Sequence, residues 1–80
     1  MKVREAVITR IVELCEKKDM TFNALANEAG LSPSTLKNII NGNSCNPGIC
    51  TIKIICDGLN ITIKEFFHSD LFDKLEQEIY

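Results

Sequence analysis

Apolar residues recur every three or four positions through most of this chain, and polar residues interrupt them where helices would begin and end. Val3, Val7, Ile11, Leu14 and Cys15, with Ala6 and Ile8 beside them, share one side of a predicted first helix over 3–18. Arg4, Arg10, Glu13, Glu16 and Lys17 fill its other side, and Lys17 and Lys18 suit the negative end of the helix dipole. Asp19 and Met20 make a connection to two shorter helices, roughly 22–29 and 33–41. In these, Leu25 and Ala29 are four apart and Leu36 and Ile39 three apart, so each pair lies along one face. The hydroxyls of Thr21 and Ser32 are placed to cap the two starts. Pro33 falls at a first helical position, where its missing N–H costs nothing. Gly30 and Gly42 follow the last apolar residues, where a left-handed conformation is wanted, and Ala26 is small where two helices cross. A helical hairpin bent this sharply is a helix-turn-helix.

Asn43 to Asn46 is a polar loop. Pro47 opens a predicted fourth helix, about 48–58, with Ile49, Ile52, Ile55, Cys56 and Leu59 as its stripe. Taken alone, its β-branched run ICTIKII reads equally well as a strand. Asn60 and Ile61 make a corner, Thr62 can cap, and 63–67 form a short fifth helix. Ser69 starts a predicted last helix, in which Leu71, Phe72, Leu75 and Ile79 oppose Asp70, Asp73, Glu76, Gln77 and Glu78.

The stretch TFNALANEAGLSPSTLKNIING, through Leu25, Ala26, Gly30, Leu31, Leu36 and Ile39, resembles the helix-turn-helix of lambda repressor, Cro and XRE-type transcriptional regulators. The later stretch NPGICTIKIICDGLNITIKEFF resembles the same family's continuation, and together they cover roughly Val3 to Phe67. The resemblance implies an all-α chain: a five-helix lambda-repressor-like DNA-binding domain over 1–68, with its helix-turn-helix at 21–42. Residues 69–80 would add an acidic amphipathic C-terminal helix for packing or dimerisation. The family pattern also decides ICTIKII in favour of helix. It implies a recognition helix, 33–41, in the major groove of double-stranded DNA, with the preceding helix across the backbone. Carried over by position, Pro33, Ser34, Lys37 and Asn38 become base contacts, and Thr21, Ser32, Thr35, Asn41, Asn43 and Ser44 backbone contacts. Lys37 can donate to guanine and Asn38 can pair with adenine; Pro33 can only pack on a thymine methyl. Two positions depart from the family. Phe22 stands where a Gln commonly contacts the backbone, and is expected to pack on the first helix instead. Ile40 and Asn41 stand where many members carry an acidic residue and an Arg.

Charge tempers this picture. The net charge is −2, which opposes nucleic-acid binding. Residues 1–64 hold eight Lys/Arg and six Asp/Glu, a balance of +2, whereas 65–80 hold one Lys and five Asp/Glu, a balance of −4. The excess is therefore confined to the tail, and phosphate contact depends on the local field. Even so, Thr21 to Cys45 holds only Lys37 and Glu28, so non-specific affinity is expected to be weak.

With 80 residues the chain is one domain, for which dimerisation is a natural supplement to a modest core. No apolar run approaches the roughly 20 residues that span a bilayer, and MKVREAVITRIVE lacks the apolar core of a signal peptide. The expected location is cytoplasmic, with no membrane partner, and the four cysteines are expected to be thiols. Cys45 and Cys50 have a spacing that zinc would tolerate, yet no second pair completes a tetrahedral set. Cys15 and Cys56 lie on apolar faces as small hydrophobes. His68 near Glu65 and Asp70 reads as a surface histidine, and no phosphate loop or nucleophile motif is present. Hence no enzyme, metal, cofactor or small-molecule substrate is expected.

Ile40, Ile54, Ile63 and Phe67 remain once the core stripes are assigned, and together they would make an apolar patch that the tail or a second subunit covers. The expected homodimer uses Ile54, Ile63, Phe67, Leu71 and Leu75. The reading is a sequence-specific DNA-binding transcriptional regulator, a repressor acting as a dimer. The alternative is a helix-turn-helix used for protein interaction, as an antitoxin-like or anti-repressor partner with little or no DNA binding.

Overall fold

Hydroxyl caps set where three of the helices begin. In the computed structural model, which describes residues 1–43 and 47–79, Thr21 Oγ1 accepts from Ala24 N at 3.1 Å and Ser32 Oγ from Thr35 N at 3.2 Å. Thr62 Oγ1 accepts from Glu65 N at 3.0 Å, while the Glu65 carboxylate accepts from Thr62 N at 3.4 Å, a reciprocal capping box. The helices that result are α1 (Val3–Lys17), α2 (Phe22–Ala29), α3 (Pro33–Ile40), α4 (Ile49–Leu59) and α5 (Ile63–Phe67). The all-α fold and its five helices are as expected. ICTIKII is helical, and no strand occurs among the described residues.

Left-handed residues set where four of these helices stop. Asp19, Gly30, Gly42 and Asn60 have φ of 53°, 69°, 77° and 58°. After each, the next N–H reaches back five residues: Met20 to Cys15, Leu31 to Ala26, Asn43 to Asn38 and Ile61 to Cys56, at 2.9–3.0 Å. Met20, Leu31 and Ile61 then fold their apolar side chains against the core, which completes the end motif.

The core is shared by all five helices: Ile11, Leu25, Leu36, Ile55, Cys56, Leu59 and Phe66 are its largest fully buried side chains. Gly58 of α4 lies against Ala29 of α2, so close that an added Cβ would stand 2.9 Å from Ala29 Cβ. This contact fixes α2, and through it the hairpin, on α4.

Arg10, read from the sequence as part of a solvated face, instead ties α1 to α5. Its Nε donates to Phe66 O at 2.7 Å and its Nη2 to Glu65 O at 2.8 Å, adding a charged donor to the carbonyls at the end of α5, of which Glu65 O also accepts from His68 N.

The expected C-terminal helix over 69–80 requires correction. Ser69 does cap, accepting from Leu71 N, but only a single 3-10 turn follows, at Asp70–Phe72. Isolated helices this short are marginal, and Glu76 and Glu78 would oppose the dipole at its C-terminal end. The segment turns back along the start of α1, where Glu76 N donates to Met1 O at 3.1 Å and Lys2 Nζ to Gln77 O at 3.2 Å. Phe72 packs edge-on against Phe67, with ring centroids 4.9 Å apart, and Phe67 against Phe66 at 5.0 Å. Much of the apolar surface expected between subunits is thereby covered within the chain. Ile63, Phe67, Leu71 and Leu75 are half-buried, whereas Ile54 stays 38% exposed.

Candidate nucleic-acid interface

Helix α3 divides its residues cleanly. Leu36 and Ile39 are buried at 1% and 4% exposure and hold the helix to the core. Pro33, Ser34, Thr35, Lys37 and Asn38 are all exposed. At 3.6 residues per turn, Lys37, Asn41, Ser34 and Asn38 fall within roughly 100° of arc, a single outward face. At the helix start the hydroxyls form a cluster, with Ser32 Oγ 2.7 Å from Thr35 Oγ1 and 3.3 Å from Ser34 Oγ. Ser32 and Thr35 are thus partly committed to capping, and Ser34 stands at the edge of the cluster.

Between the start of α2 and this face lies an open concavity of about 580 Å³, lined by Thr21, Phe22, Asn23, Pro33, Ser34, Lys37, Ile40 and Asn41. It brings together three expected base contacts, Pro33, Ser34 and Lys37, and two expected backbone contacts, Thr21 and Asn41. Asn38 and Asn43 are exposed outside its lining, as are Ser32 and Thr35; Ser44 and Cys45 lie outside the described residues. Three lining residues were absent from the expected contact set. Asn23 carried no signal beyond its polarity. Phe22 and Ile40 did carry one, as the two departures from the family pattern. Phe22 also lines a smaller recess with Val12, Cys15, Glu16 and Met20, so it stands between α1 and the concavity.

Among the described residues, Lys37 is the one cation lining this concavity. A second, larger concavity of about 790 Å³ gathers Arg10, Lys17, Lys18, Lys64 and His68 around Leu14 and Ile61, with Glu65 among them. On α1 its positions 10, 14 and 17 lie roughly opposite positions 12, 15 and 16, which border Phe22. The lysine cluster therefore sits on the far side of α1 from the start of α2.

Cys15 and Cys56 are buried, and burial pushes both thiols above their ordinary value; Cys50 is exposed. Among the described residues no group of three or more His, Cys, Asp or Glu is placed to hold a metal ion, and no helix is long and apolar enough to cross a membrane.

Residues 10–69, which contain the whole hairpin, match the family described as the Cro/C1-type HTH DNA-binding domain. The chain belongs to the Cro/C1-type helix-turn-helix family. It is similar to the uncharacterised HTH-type transcriptional regulator YvzC of Bacillus subtilis (strain 168), with 32% identity over 76 residues, 92% of this chain and 97% of that protein. It is also similar to the crystal structure of prophage Lp1 protein 11, at 33% identity and a TM-score of 0.80, covering 94% of this chain and 100% of that one. The Cro/C1-type assignment makes the protein a DNA-binding regulator of the helix-turn-helix class and not an enzyme.

Proposed function

We propose that this Cro/C1-type protein binds a specific duplex sequence as a cytoplasmic homodimer, with α3 in the major groove, and represses transcription by occupying its site. The observation that carries the reading is the single exposed arc of Ser34, Lys37 and Asn38, held rigidly from behind by buried Leu36 and Ile39. A groove reader needs both: polar groups that match base edges, and a support that keeps them in register. Lys37 donates to guanine O6 and N7, Asn38 pairs with adenine, and Ser34 reaches a base edge or phosphate. Thr21, Ser32, Thr35, Asn41 and Asn43 contact phosphate and sugar and set orientation, as does Ser44. Exposed Ile54, together with the uncovered edges of Ile63, Phe67, Leu71 and Leu75, supplies the surface for a second subunit.

A second reading, a module that binds protein and not DNA, is favoured by one observation. The basic cluster of Lys17, Lys18 and Lys64 lies away from the recognition arc.

Selection of bound fragments from random duplex DNA separates the two. The expected result is a two-fold symmetric sequence with half-sites about one helical turn apart, roughly 34–36 Å. Replacing Lys37 and Asn38 by Ala should each lower affinity for the selected site by about 5- to 150-fold, since a good base pairing contributes about 1–3 kcal/mol. With Lys37 assigned to a base and every expected phosphate contact uncharged, few phosphates are neutralised and affinity should depend only shallowly on salt, since each neutralised phosphate would add about 0.9 to the slope. Failure to recover any sequence at low salt would leave the protein-binding module as the account.

A further inference from the structure

The concavity beside the recognition arc is more apolar than a surface for phosphate should be. Its surface is mostly apolar, with Phe22, Pro33 and Ile40 as its apolar side chains, and among the described residues that line it Lys37 is the positive charge. Phe22 is 40% exposed although it is the first residue of α2 and lies beside the groove-reading residues. It borders both the recess formed with Val12, Cys15 and Met20 and the concavity beside α3, so it stands at the ridge between them.

We propose that Phe22, Pro33 and Ile40 form a receptor for the C5-methyl group of a thymine in the operator, which makes Phe22 a specificity-determining residue. This deepens the reading above and rests on α3 entering the major groove. The chemistry selects the occupant. A phosphate set against a phenyl ring and a proline would lose hydration without gaining hydrogen bonds. Of the groups that a base pair presents in the major groove, the thymine methyl is the apolar one, and aromatic carbon is a suitable partner for it. Ser34, Lys37 and Asn41 line the same concavity, so the apolar wall is continuous with the polar readers and meets the same stretch of duplex. At about 580 Å³ the space exceeds one methyl group, which leaves room for the base edge that carries it.

The test removes the methyl group itself. In the sequence selected from random duplex DNA, each thymine is replaced in turn by deoxyuridine, and affinity is measured for the wild-type protein and for Phe22→Ala and Phe22→Leu. The expected result is one thymine per half-site whose loss of methyl weakens wild-type binding about fourfold, the value of one buried methylene-sized group. Phe22→Ala should bind thymine and deoxyuridine equally at that position, and Phe22→Leu should keep part of the preference. Wild-type indifference to every deoxyuridine overturns the proposal while leaving DNA binding intact, and so does full methyl sensitivity in Phe22→Ala. The wild-type scan decides the first point even if a variant fails to fold. Failure to select any duplex sinks the DNA-binding reading itself, and this inference with it.

Discussion

Replacing Gly58 by alanine tests whether the seat of the hairpin on α4 is as tight as its geometry implies. The added Cβ would stand 2.9 Å from Ala29 Cβ, 3.0 Å from its N and 3.1 Å from its Cα. Carbon atoms rest comfortably at about 3.5–4.0 Å, so α2 and α4 must part by roughly half an ångström or more. Two effects compete. Alanine is a better helix former than glycine by about 1 kcal/mol. Forcing an extra carbon into a packed contact costs about 1–3 kcal/mol, and here two of the three opposing atoms are backbone and cannot rotate aside. The contact should win, lowering stability by about 1 kcal/mol, which for a domain of this size shifts Tm by about 4–8 °C. Urea melts should show a lower midpoint with unchanged slope. Adding Ala29→Gly should restore only part of the loss, because the backbone N and Cα of residue 29 remain. Gly48→Ala is the control, since nothing lies within 4 Å of its added Cβ. A Gly58→Ala protein as stable as wild type, or more so, would refute the reasoning.

Two further outcomes follow from single side chains. Arg10→Ala should destabilise by about 2 kcal/mol, as hydrogen bonds from a charged donor to Phe66 O and Glu65 O are lost from a side chain only 17% exposed. Arg10→Lys should recover less than half of that because it lacks the planar fork, and hydrogen exchange in α5 should report the loss first. Burial holds the Cys15 and Cys56 thiols above the ordinary 9.0, so between the unfolded and folded values the native state binds more protons than the unfolded one. Stability should therefore be unaffected by these groups below about pH 8 and fall as pH rises beyond 9. A disulfide-forming reagent should modify Cys50 promptly at pH 8 and the buried pair only as the fold opens; prompt modification of either buried thiol would contradict it.

Most of what was legible in the sequence is local. Thr21, Ser32, Pro33, Gly30 and Thr62 announce helix ends because a cap is a contract between residues a few positions apart, and each stands where it was expected. The interior faces of α2 and α3 were equally plain from spacing, as Leu25, Leu36 and Ile39 are buried. The outward position of Ser34, Lys37 and Asn38 followed from those same faces. What was hidden depends on partners far away in the chain. Arg10 looks like any solvated arginine until α5 brings carbonyls 55 and 56 residues distant within reach. The tail has a helical stripe in Leu71, Phe72, Leu75 and Ile79, yet Phe72 joins the Phe66–Phe67 pair and Glu76 meets the start of α1. These contacts outweigh a short, poorly capped helix. Ile49 and Val3 fit the stripes of their helices but are 59% and 38% exposed, because each stands in a first turn beyond the reach of the core.

The division of labour within α3 bears on how such a protein changes its target over generations. Leu36 and Ile39 answer to the interior and Lys37 and Asn38 to the outside, and only half-buried Ile40 at the end of the helix touches both. Among the described residues, the Ser34 side chain is tied to its neighbours through a hydroxyl contact with Ser32. On the proposed reading of α3, a lineage can thus rewrite three letters of its address while the scaffold that holds them goes on folding as before.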